Sequence, residues 1–237
     1  MRFVIPVLLL ALAVHSLIAQ TDRPAFAEDF ESGAIDHTVW SEQVTGSNIV
    51  KVQQDRVAHG KYALLVRCPA PAQRTSALLV ANKIPEALRE HHFGRVYVYI
   101  TPELPVRHTI FLNAGSPGFP KYKYEEVATV RGKFQLTYVD QVNGGEDYHS
   151  GGPDIPLDRW FLLEWEFGDN PNRAAVWVDG EKAYETPFTF GTAGGDKLVG
   201  GFSEFVIGFR LWGAAPNAFD IYYDDIALDP KRIGPVK

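Results

Sequence analysis

The sequence predicts an all-β protein whose strands form an antiparallel two-sheet sandwich of the jelly-roll type. Short segments with period-two alternation, or short apolar runs, follow one another along the chain, and turn residues separate them about every ten positions. Helix signals are scarce, since only residues 85–93 (PEALREHHF) could form a turn or two of helix. Regularly spaced short strands of this kind are typical of β-sandwiches.

The strand pattern is clearest in the middle and at the end of the chain. The predicted strands lie at residues 61–68, 76–84, 94–100, 107–115, 127–140, 160–167, 173–180, 202–212 and 219–228. The segment 127–140 is expected to be one continuous strand, and the glycine-rich stretch 144–152 (GGEDYHSGG) a loop at the rim. The first and last strands are expected to pair, as they do in jelly rolls.

The first twenty residues have the layout of a secretory signal peptide. Arg2 precedes an apolar run from Phe3 to Val14, and small residues surround Ala19. The run is shorter than the about 20 apolar residues that a membrane span needs. We therefore expect cleavage after Ala19, one domain over residues 20–237, a secreted or periplasmic location and no membrane attachment after cleavage.

The composition argues against nucleic acid as a partner and excludes disulfide bonds within the chain. The formal net charge is −6 and no basic block occurs, which argues against nucleic acid as a partner. Cys68 is the only cysteine, so an intrachain disulfide is impossible and the core must hold the fold, with a metal as the other possible support. The chain contains 15 Phe, 10 Tyr and 5 Trp, which suit either a packed core or a sugar-binding surface. We expect a monomer.

The two ends of the domain carry carboxylates that could share one hard cation. Glu31 lies in the opening segment DFESG, and Asp224 and Asp225 lie in the closing segment FDIYYDDIALDP. Calcium prefers such carboxylates together with carbonyl oxygens, which the turn around His59 could supply. Alternation places Asp224 on the inward face, where a buried carboxylate needs a partner. The alternative is that these residues are ordinary acids at strand ends.

A polar row follows the predicted strand 127–140. Arg131, Lys133 and Gln135 fall on one face, while Phe134 and Tyr138 fall on the other. The row either faces only water, as is common for antiparallel sheets, or lines a groove that binds an acidic ligand.

Several segments together resemble the cellulose-induced protein family. They are the opening DFESG, the strand WFLLEWEF, the segment VWVDGE and the closing YYDDIALDPKRIG. These proteins are secreted single-domain jelly rolls of the concanavalin A-like type, similar to glucuronan and alginate lyases. The resemblance implies a structural calcium held by Glu31 and by Asp224 or Asp225.

The resemblance also implies a catalytic row of His, Arg and Gln at period two. The Arg and Gln positions fall on Arg131 and Gln135. The His position falls on Thr129 and a glycine position on Lys133, so the pattern is broken at the proton-transfer residue. Lyases of this kind cleave uronates by β-elimination, in which a guanidinium and an amide neutralise the sugar carboxylate and a tuned side chain moves the protons.

Other residues complete the set of candidates for catalysis and for substrate binding. Lys133, with a pKa lowered by its cationic neighbour, His108 and His149 are candidates for proton transfer. Alternation with Ile110 and Leu112 predicts that His108 faces the core. The candidates for substrate binding are Arg107, Tyr124, Arg210 and Trp212.

We expect a carbohydrate-active protein, and the leading hypothesis is a lyase acting on an acidic polysaccharide. The first alternative is a carbohydrate-binding module without catalysis. A second alternative is a glycoside hydrolase that uses Glu164 and Glu166, which share the outward face of one strand while Trp165 packs inward. A structural or envelope-associated protein without a sugar ligand is the remaining alternative, since fold does not fix function.

Overall fold

A computed structural model describes residues 23–69, 71–116, 123–140, 145–169, 172–187 and 201–236. The signal peptide expected at residues 1–19 lies outside these ranges. Within them the helical content is a single 3₁₀ turn, Glu86–Leu88, in the segment where the sequence predicts a turn of helix. The described ranges contain no helix that is long and apolar enough to cross a membrane.

Seventeen strands make up most of the described chain. In chain order they are β1 (Phe26–Glu28), β2 (Trp40–Val44), β3 (Ile49–Gln53), β4 (Ala63–Cys68), β5 (Ala72–Gln73), β6 (Ser76–Ala81), β7 (His91–Ile100), β8 (His108–Ser116), β9 (Lys123–Val130), β10 (Lys133–Asp140), β11 (Gly145–Asp154), β12 (Trp160–Asp169), β13 (Asn172–Val178), β14 (Glu181–Pro187), β15 (Glu204–Trp212), β16 (Ala214–Ala215) and β17 (Phe219–Asp229).

The strands form two large antiparallel sheets. Sheet A has the order β14-β13-β12-β7-β17-β4-β3, and β1 pairs with β17. Sheet B has the order β11-β10-β9-β8-β15-β6-β2. A small third sheet joins β5 to β16. The predicted two-sheet antiparallel sandwich is confirmed, and so is the pairing of the first strand with the last.

The core lies between the two sheets and is rich in aromatic rings. Trp165 of β12 stacks on Phe205 of β15 with ring centroids 5.5 Å apart, which joins sheet A to sheet B. Gly94 of β7 pairs with Trp165, and a Cβ atom there would lie 2.0 Å from the indole. The indole therefore packs directly on the backbone of β7, as the predicted inward direction of Trp165 requires.

Sheet B contains a hairpin where the sequence predicts one strand. The segment 127–140 divides into β9 and β10, because Arg131 and Gly132 form a two-residue turn with φ angles of 56° and 75°. Two positive φ values are typical of the type I′ turn, whose twist matches that of the strands it joins. The prediction of a continuous strand is wrong, since Arg-Gly here acts as a turn signal.

The hairpin changes the direction of the side chains that precede it. Thr129 pairs with Phe134 and therefore faces the core, where it is fully buried. Arg131 is exposed at the tip of the turn, outside the alternation of β10. The single polar row predicted from the sequence is thus broken between Arg131 and Lys133.

Two bulges further shift the alternation in the central strands of sheet B. The pairing of β8 with β9 shifts between Ile110 and Leu112, and the pairing of β15 with β8 shifts between Ile207 and Arg210. Leu112 belongs to the core, whereas Ile110 lies on the other face. His108 shares that other face, so the prediction that it faces the core is wrong.

Replacing the first turn residue tests the hairpin. We expect Arg131→Asn to stabilise the protein by roughly 0.5–1 kcal/mol, because asparagine tolerates positive φ better than arginine does. The free energy of unfolding from chemical denaturation measures the change. Arg131→Ala is the matched control, which removes the guanidinium without easing the backbone and should not stabilise. A destabilised asparagine variant would contradict the type I′ turn.

Candidate functional site

The face of sheet B that points away from sheet A, here called the open face, carries a row of side chains in register. Neighbouring strands place them side by side across the sheet. In order from β11 to β15 they are Ser150, Gln135, Ala128, Ile110 and Arg210. The side chain of Ala128 is only a methyl group, so residues on the strands to either side can meet above it.

Gln135 is the polar centre of this row and is 3% exposed. Its amide nitrogen donates to Thr137 Oγ1 at 3.0 Å and lies 3.3 Å from His108 Nε2. Its amide oxygen accepts a hydrogen bond from Ser150 Oγ. Both N–H groups of the amide and one lone pair of its oxygen are therefore engaged, which fixes its orientation on the open face.

His108 meets Gln135 from the start of β8. Because the amide nitrogen can only donate, the short contact assigns a lone pair to His108 Nε2 and the ring proton to Nδ1. Burial lowers the pKa of His108 from its ordinary value. The imidazole is thus neutral at neutral pH, which is the state of a general base.

Tyr148 of β11 stands beside this pair and is missing from the sequence-based set of candidates. Its ring lies edge-on to His108, with centroids 6.1 Å apart, and the side chain is 50% exposed. The glycines around it predicted a loop, but Gly145–Asp154 is a strand paired with β10. The alternation of Glu146, Tyr148 and Ser150 was the signal that could have identified the strand.

Tyr148 and Trp212 are the two exposed aromatic side chains among the described residues, and both lie on the open face. Trp212 pairs with His108 and therefore shares its face, on β15. Four strand spacings separate β11 from β15, or about 19 Å. Exposed rings on both sides of a polar centre suit the stacking of sugar rings along a chain.

A buried carboxyl group lies farther along the open face. Glu126 pairs with Thr137 and is 1% exposed, and its Oε1 has no hydrogen-bond partner among the described residues. Burial raises the pKa of Glu126 to about 8, against the opposing effect of Arg210 and with a further rise from Glu146. Burial also raises the pKa of Glu204. These glutamates are not among the candidates from the sequence, because their alternation resembles that of solvated strand residues.

Only part of the predicted catalytic set comes together. Gln135 and His108 are in contact, but Lys133 is exposed and its Nζ lies 2.8 Å from Asp154. His149 pairs with Leu136 and faces the sandwich side, where its Nε2 lies 2.9 Å from Asp147 Oδ1. The structure therefore does not bring His149 to the open face.

The candidates for substrate binding lie on or beside the open face. Arg210 and Trp212 share it on β15, as predicted. Tyr124 lies on it two positions beyond Glu126, paired with Val139. Arg107 precedes β8, is exposed, and its side chain packs beside Gly213 instead of following the alternation of the strand.

The carboxylates predicted to hold calcium meet at one loop. Asp224 Oδ2 accepts hydrogen bonds from the backbone N–H groups of Ala58 and His59, at 2.9 and 3.1 Å. Glu31 Oε1 accepts hydrogen bonds from those of Lys61 and Tyr62, at 2.8 and 2.9 Å. The loop between β3 and β4 thus joins the opening and closing segments of the domain.

The donor set fits a hard cation only in part. His59 Nδ1 lies 2.6 Å from Asp225 Oδ2, so that pair is engaged with itself. The described residues contain no group of three or more His, Cys, Asp or Glu that could hold a metal. Glu31 and Asp224 keep further lone pairs, and carbonyl oxygens or water would have to complete the ligands of calcium.

The alternative catalytic pair lies on the opposite side of the molecule. Glu164 and Glu166 project from the outer face of sheet A, as predicted. Arg232 binds both oxygens of Glu164 at 3.0 and 2.6 Å, and Gly234 N–H donates to it at 3.1 Å. Glu166 binds Arg173 and His91. Both carboxylates thus serve as ion-pair partners, which weighs against the hydrolase hypothesis.

Solved structures with the same architecture identify the fold. The cellulose-induced protein Cip1 matches with a TM-score of 0.66 over 89% of this chain and 100% of its own, at 14% identity. The fold is that of Cip1. An endo-β-1,4-glucuronan lyase from the fungus Trichoderma reesei matches with a TM-score of 0.64 over 88% of this chain and 96% of its own, at 15% identity.

A third neighbour comes from a bacteriophage. A carbohydrate esterase from the Shiga toxin-encoding phage phi24B matches with a TM-score of 0.57 over 86% of this chain and 97% of its own, at 14% identity. No family model and no curated protein sequence matches the chain. The expected resemblance to the Cip1 and glucuronan lyase jelly rolls is therefore confirmed for the fold.

The pH dependence of stability tests the environment of Asp224. Burial raises the pKa of this carboxyl from 3.8 to about 6, and Asp225 adds to the rise. The folded state therefore binds the proton more tightly than the unfolded state does, and the resulting stabilisation is lost as pH rises from about 4 through 6. In chelator, the wild-type free energy of unfolding should fall relative to Asp224→Asn across this window.

Asp225→Asn is the matched control for this experiment, because it removes a neighbouring charge but keeps the Asp224 carboxyl. This variant should retain a pH-dependent difference from Asp224→Asn. Parallel curves for the wild type and Asp224→Asn between pH 4 and 7 would contradict the raised pKa.

Proposed function

We propose that this protein is a secreted lyase that cleaves an acidic, uronate-containing polysaccharide by β-elimination. The observation that carries the proposal is the contact of a neutral His108 with a fixed Gln135, beside the exposed Tyr148. The fold shared with a glucuronan lyase supports it. A carbohydrate-binding module without catalysis would use the same open face, and the tests below distinguish the two.

The first task in β-elimination is to neutralise the carboxylate of the uronate. Both N–H groups of Gln135 and the Ser150 hydroxyl already donate within the site, to Thr137, His108 and the amide oxygen. On substrate binding, the N–H that points at His108 would turn to the uronate carboxylate. Arg131 lies beside the start of β8, since its backbone N–H donates to Val106 O at 3.0 Å. Its exposed guanidinium supplies the positive charge that stabilises the developing dianion.

The second task is proton transfer. Once the Gln135 N–H has left His108 Nε2 for the sugar carboxylate, Nε2 takes the C5 proton, the electron pair forms the C4–C5 double bond, and the C4–O bond breaks. Tyr148 donates its phenolic proton to the leaving oxygen, and the proton on His108 then returns to the phenolate through solvent. The lowered pKa of His108 keeps the base free of a proton near neutral pH.

Removing the base tests the mechanism. The assay follows ultraviolet absorbance of unsaturated uronate products with polyglucuronate and alginate as substrates. We expect His108→Ala and Tyr148→Phe each to lower kcat by about 10²–10⁴-fold, because each removes one proton-transfer group. His37→Ala, an exposed histidine outside the open face, is the matched control and should keep full activity.

The pH profile and Arg131→Asn sharpen this test. The acid limb of kcat/KM should fall below the ordinary histidine value of 6.5, since the pKa of His108 is lowered. Arg131→Asn should lose activity while gaining stability. Retention of both polymers by the wild type without any product would overturn the lyase and leave the binding module.

We also propose a structural calcium ion held by Glu31 and Asp224 with carbonyl oxygens of the loop around His59. The ion would cross-link the two ends of the domain to this loop and offset the cost of burying Asp224. The charge of Asp225, adjacent in the chain, would add to the attraction for the cation.

Chelation tests the ion. A ligand that binds only the folded state stabilises by mass action, so calcium should raise the melting temperature by several degrees over chelator. Glu31→Gln should remove the difference, while Glu42→Gln, an exposed acid on β2, should keep it. Equal melting temperatures of the wild type in calcium and in chelator would overturn this proposal.

A further inference from the structure

A cavity of about 300 Å³ lies at the end of the open face, where β15 meets the segment between β5 and β6. Its lining residues are Arg74, Thr75, Ser76, Arg210, Leu211 and Trp212. Two of these are cationic and none is acidic, while the exposed indole of Trp212 forms one wall. The cavity is about three strand spacings from Gln135, or roughly 14 Å.

The backbone around Arg74 is built to hold its side chain at the cavity. Arg74 has a φ of 38°, which non-glycine residues adopt only where the surroundings enforce it. Its N–H donates to Gly213 O at 2.9 Å, next to the small sheet of β5 and β16. Its guanidinium lies 4.7 Å above the Trp212 ring, a cation–π distance.

The remaining polar wall is fixed by a separate set of hydrogen bonds. Asn48 Nδ2 donates to Thr75 Oγ1 at 2.6 Å, and Leu211 N–H donates to Thr75 O at 2.8 Å. Ser76 N–H donates to Thr45 Oγ1 at 2.8 Å. The cavity walls are therefore ordered before any ligand arrives, which lowers the entropic cost of binding.

The positive charge of the cavity is left uncompensated nearby. Within the described ranges, neither Arg74 nor Arg210 has a carboxylate partner within ion-pair distance. Glu126 and Glu204 both act on Arg210, but burial raises the pKa of each carboxyl, to about 8 for Glu126, and so reduces their negative charge. The two guanidinium groups are thus available to an external anion.

We propose that this cavity binds the carboxylate of a second uronate, held by Arg74 and Arg210 with its sugar ring against Trp212. A guanidinium matches the planar carboxylate through paired N–H groups, and an indole face stacks on a sugar ring. The proposal rests on the lyase function, since the same chain would cross Gln135. Such a cavity would make the protein prefer a polymer that carries a carboxylate on several neighbouring sugar residues. A mostly neutral polymer with isolated uronates would bind less tightly.

Binding of polyglucuronate oligosaccharides to Arg74→Gln tests the cavity. Titration calorimetry in the His108→Ala background measures affinity without cleavage. We expect the dissociation constant to rise about tenfold, the loss of one partly exposed charge-assisted contact. Methyl-esterified polyglucuronate, which carries no charge, should bind Arg74→Gln and its parent equally. Lys51→Gln, an exposed charge removed from β3 of sheet A, is the matched control and should not change affinity.

Trp212→Phe and a sulfated polymer provide two independent tests of the cavity. Trp212→Phe should weaken binding of both the charged and the esterified oligosaccharide, because it acts on the sugar ring. Dextran sulfate should bind more weakly than polyglucuronate, and tighter binding of the sulfated polymer would overturn the assignment to a carboxylate.

The results of these experiments distinguish the cavity proposal from the lyase proposal. Weakened binding by Arg74→Gln, with no product from the wild type, would support the cavity and overturn the lyase. Product formation with an Arg74→Gln variant whose KM and oligosaccharide affinity match the wild type would overturn the cavity and keep the lyase. Absence of binding of both polyglucuronate and alginate by the wild type would overturn both proposals.

Discussion

The burial of one face of sheet B against sheet A determines what its other face presents. Strand side chains alternate, so packing Phe134, Leu136 and Tyr138 into the core directs Gln135 and Thr137 to the open face. A slip of one residue in β10 would turn the amide into the core and turn the aromatic rings away from it. The large free energy of burying those rings thus holds the polar centre in place.

Two bulges in sheet B determine which side chains reach the open face. The bulge between Ile110 and Leu112 lets Leu112 enter the core while His108 stays on the open face. In β15, Gly208 has a φ of 122°, and a Cβ atom there would lie 2.1 Å from Ala77 O. Both bulges lie in the strands that carry His108, Arg210 and Trp212, so they orient the candidate site.

Much of the fold was predictable from the sequence, because burial imposes a regular pattern. The direction of Trp165 and of its neighbouring glutamates in β12 followed from alternation. The same alternation predicts that Gln135 lies on the open face. The predicted inward direction of Asp224 is wrong, because a bulge between Asp224 and Ala227 separates it from Ile226 and Leu228 and leaves it paired with Tyr97 on the outer face of sheet A. Wherever the backbone is regular, two-residue periodicity is enough to assign a face.

The failures occur where the backbone departs from that period. Arg131 was assigned to a strand because Arg-Gly is a weaker turn signal than Asn-Gly, although both central φ values are positive. His108 was assigned to the core because a bulge cannot be recognised from the alternation it interrupts. Tyr148 was overlooked because glycines flank its strand, and the contact between Arg74 and Trp212 joins residues far apart in the chain.

The segment after β17 stabilises sheet A through the ion pair between Arg232 and Glu164. Glu164 is 1% exposed, and its two oxygens are bound by Arg232 and by the N–H of Gly234. Arg232 also lies 4.7 Å from the Trp177 ring, which it covers. A truncated form that ends at Asp229 would keep every strand but would leave the buried carboxylate of Glu164 without its partners. Affinity tags and fusion partners should therefore be attached after Gly234.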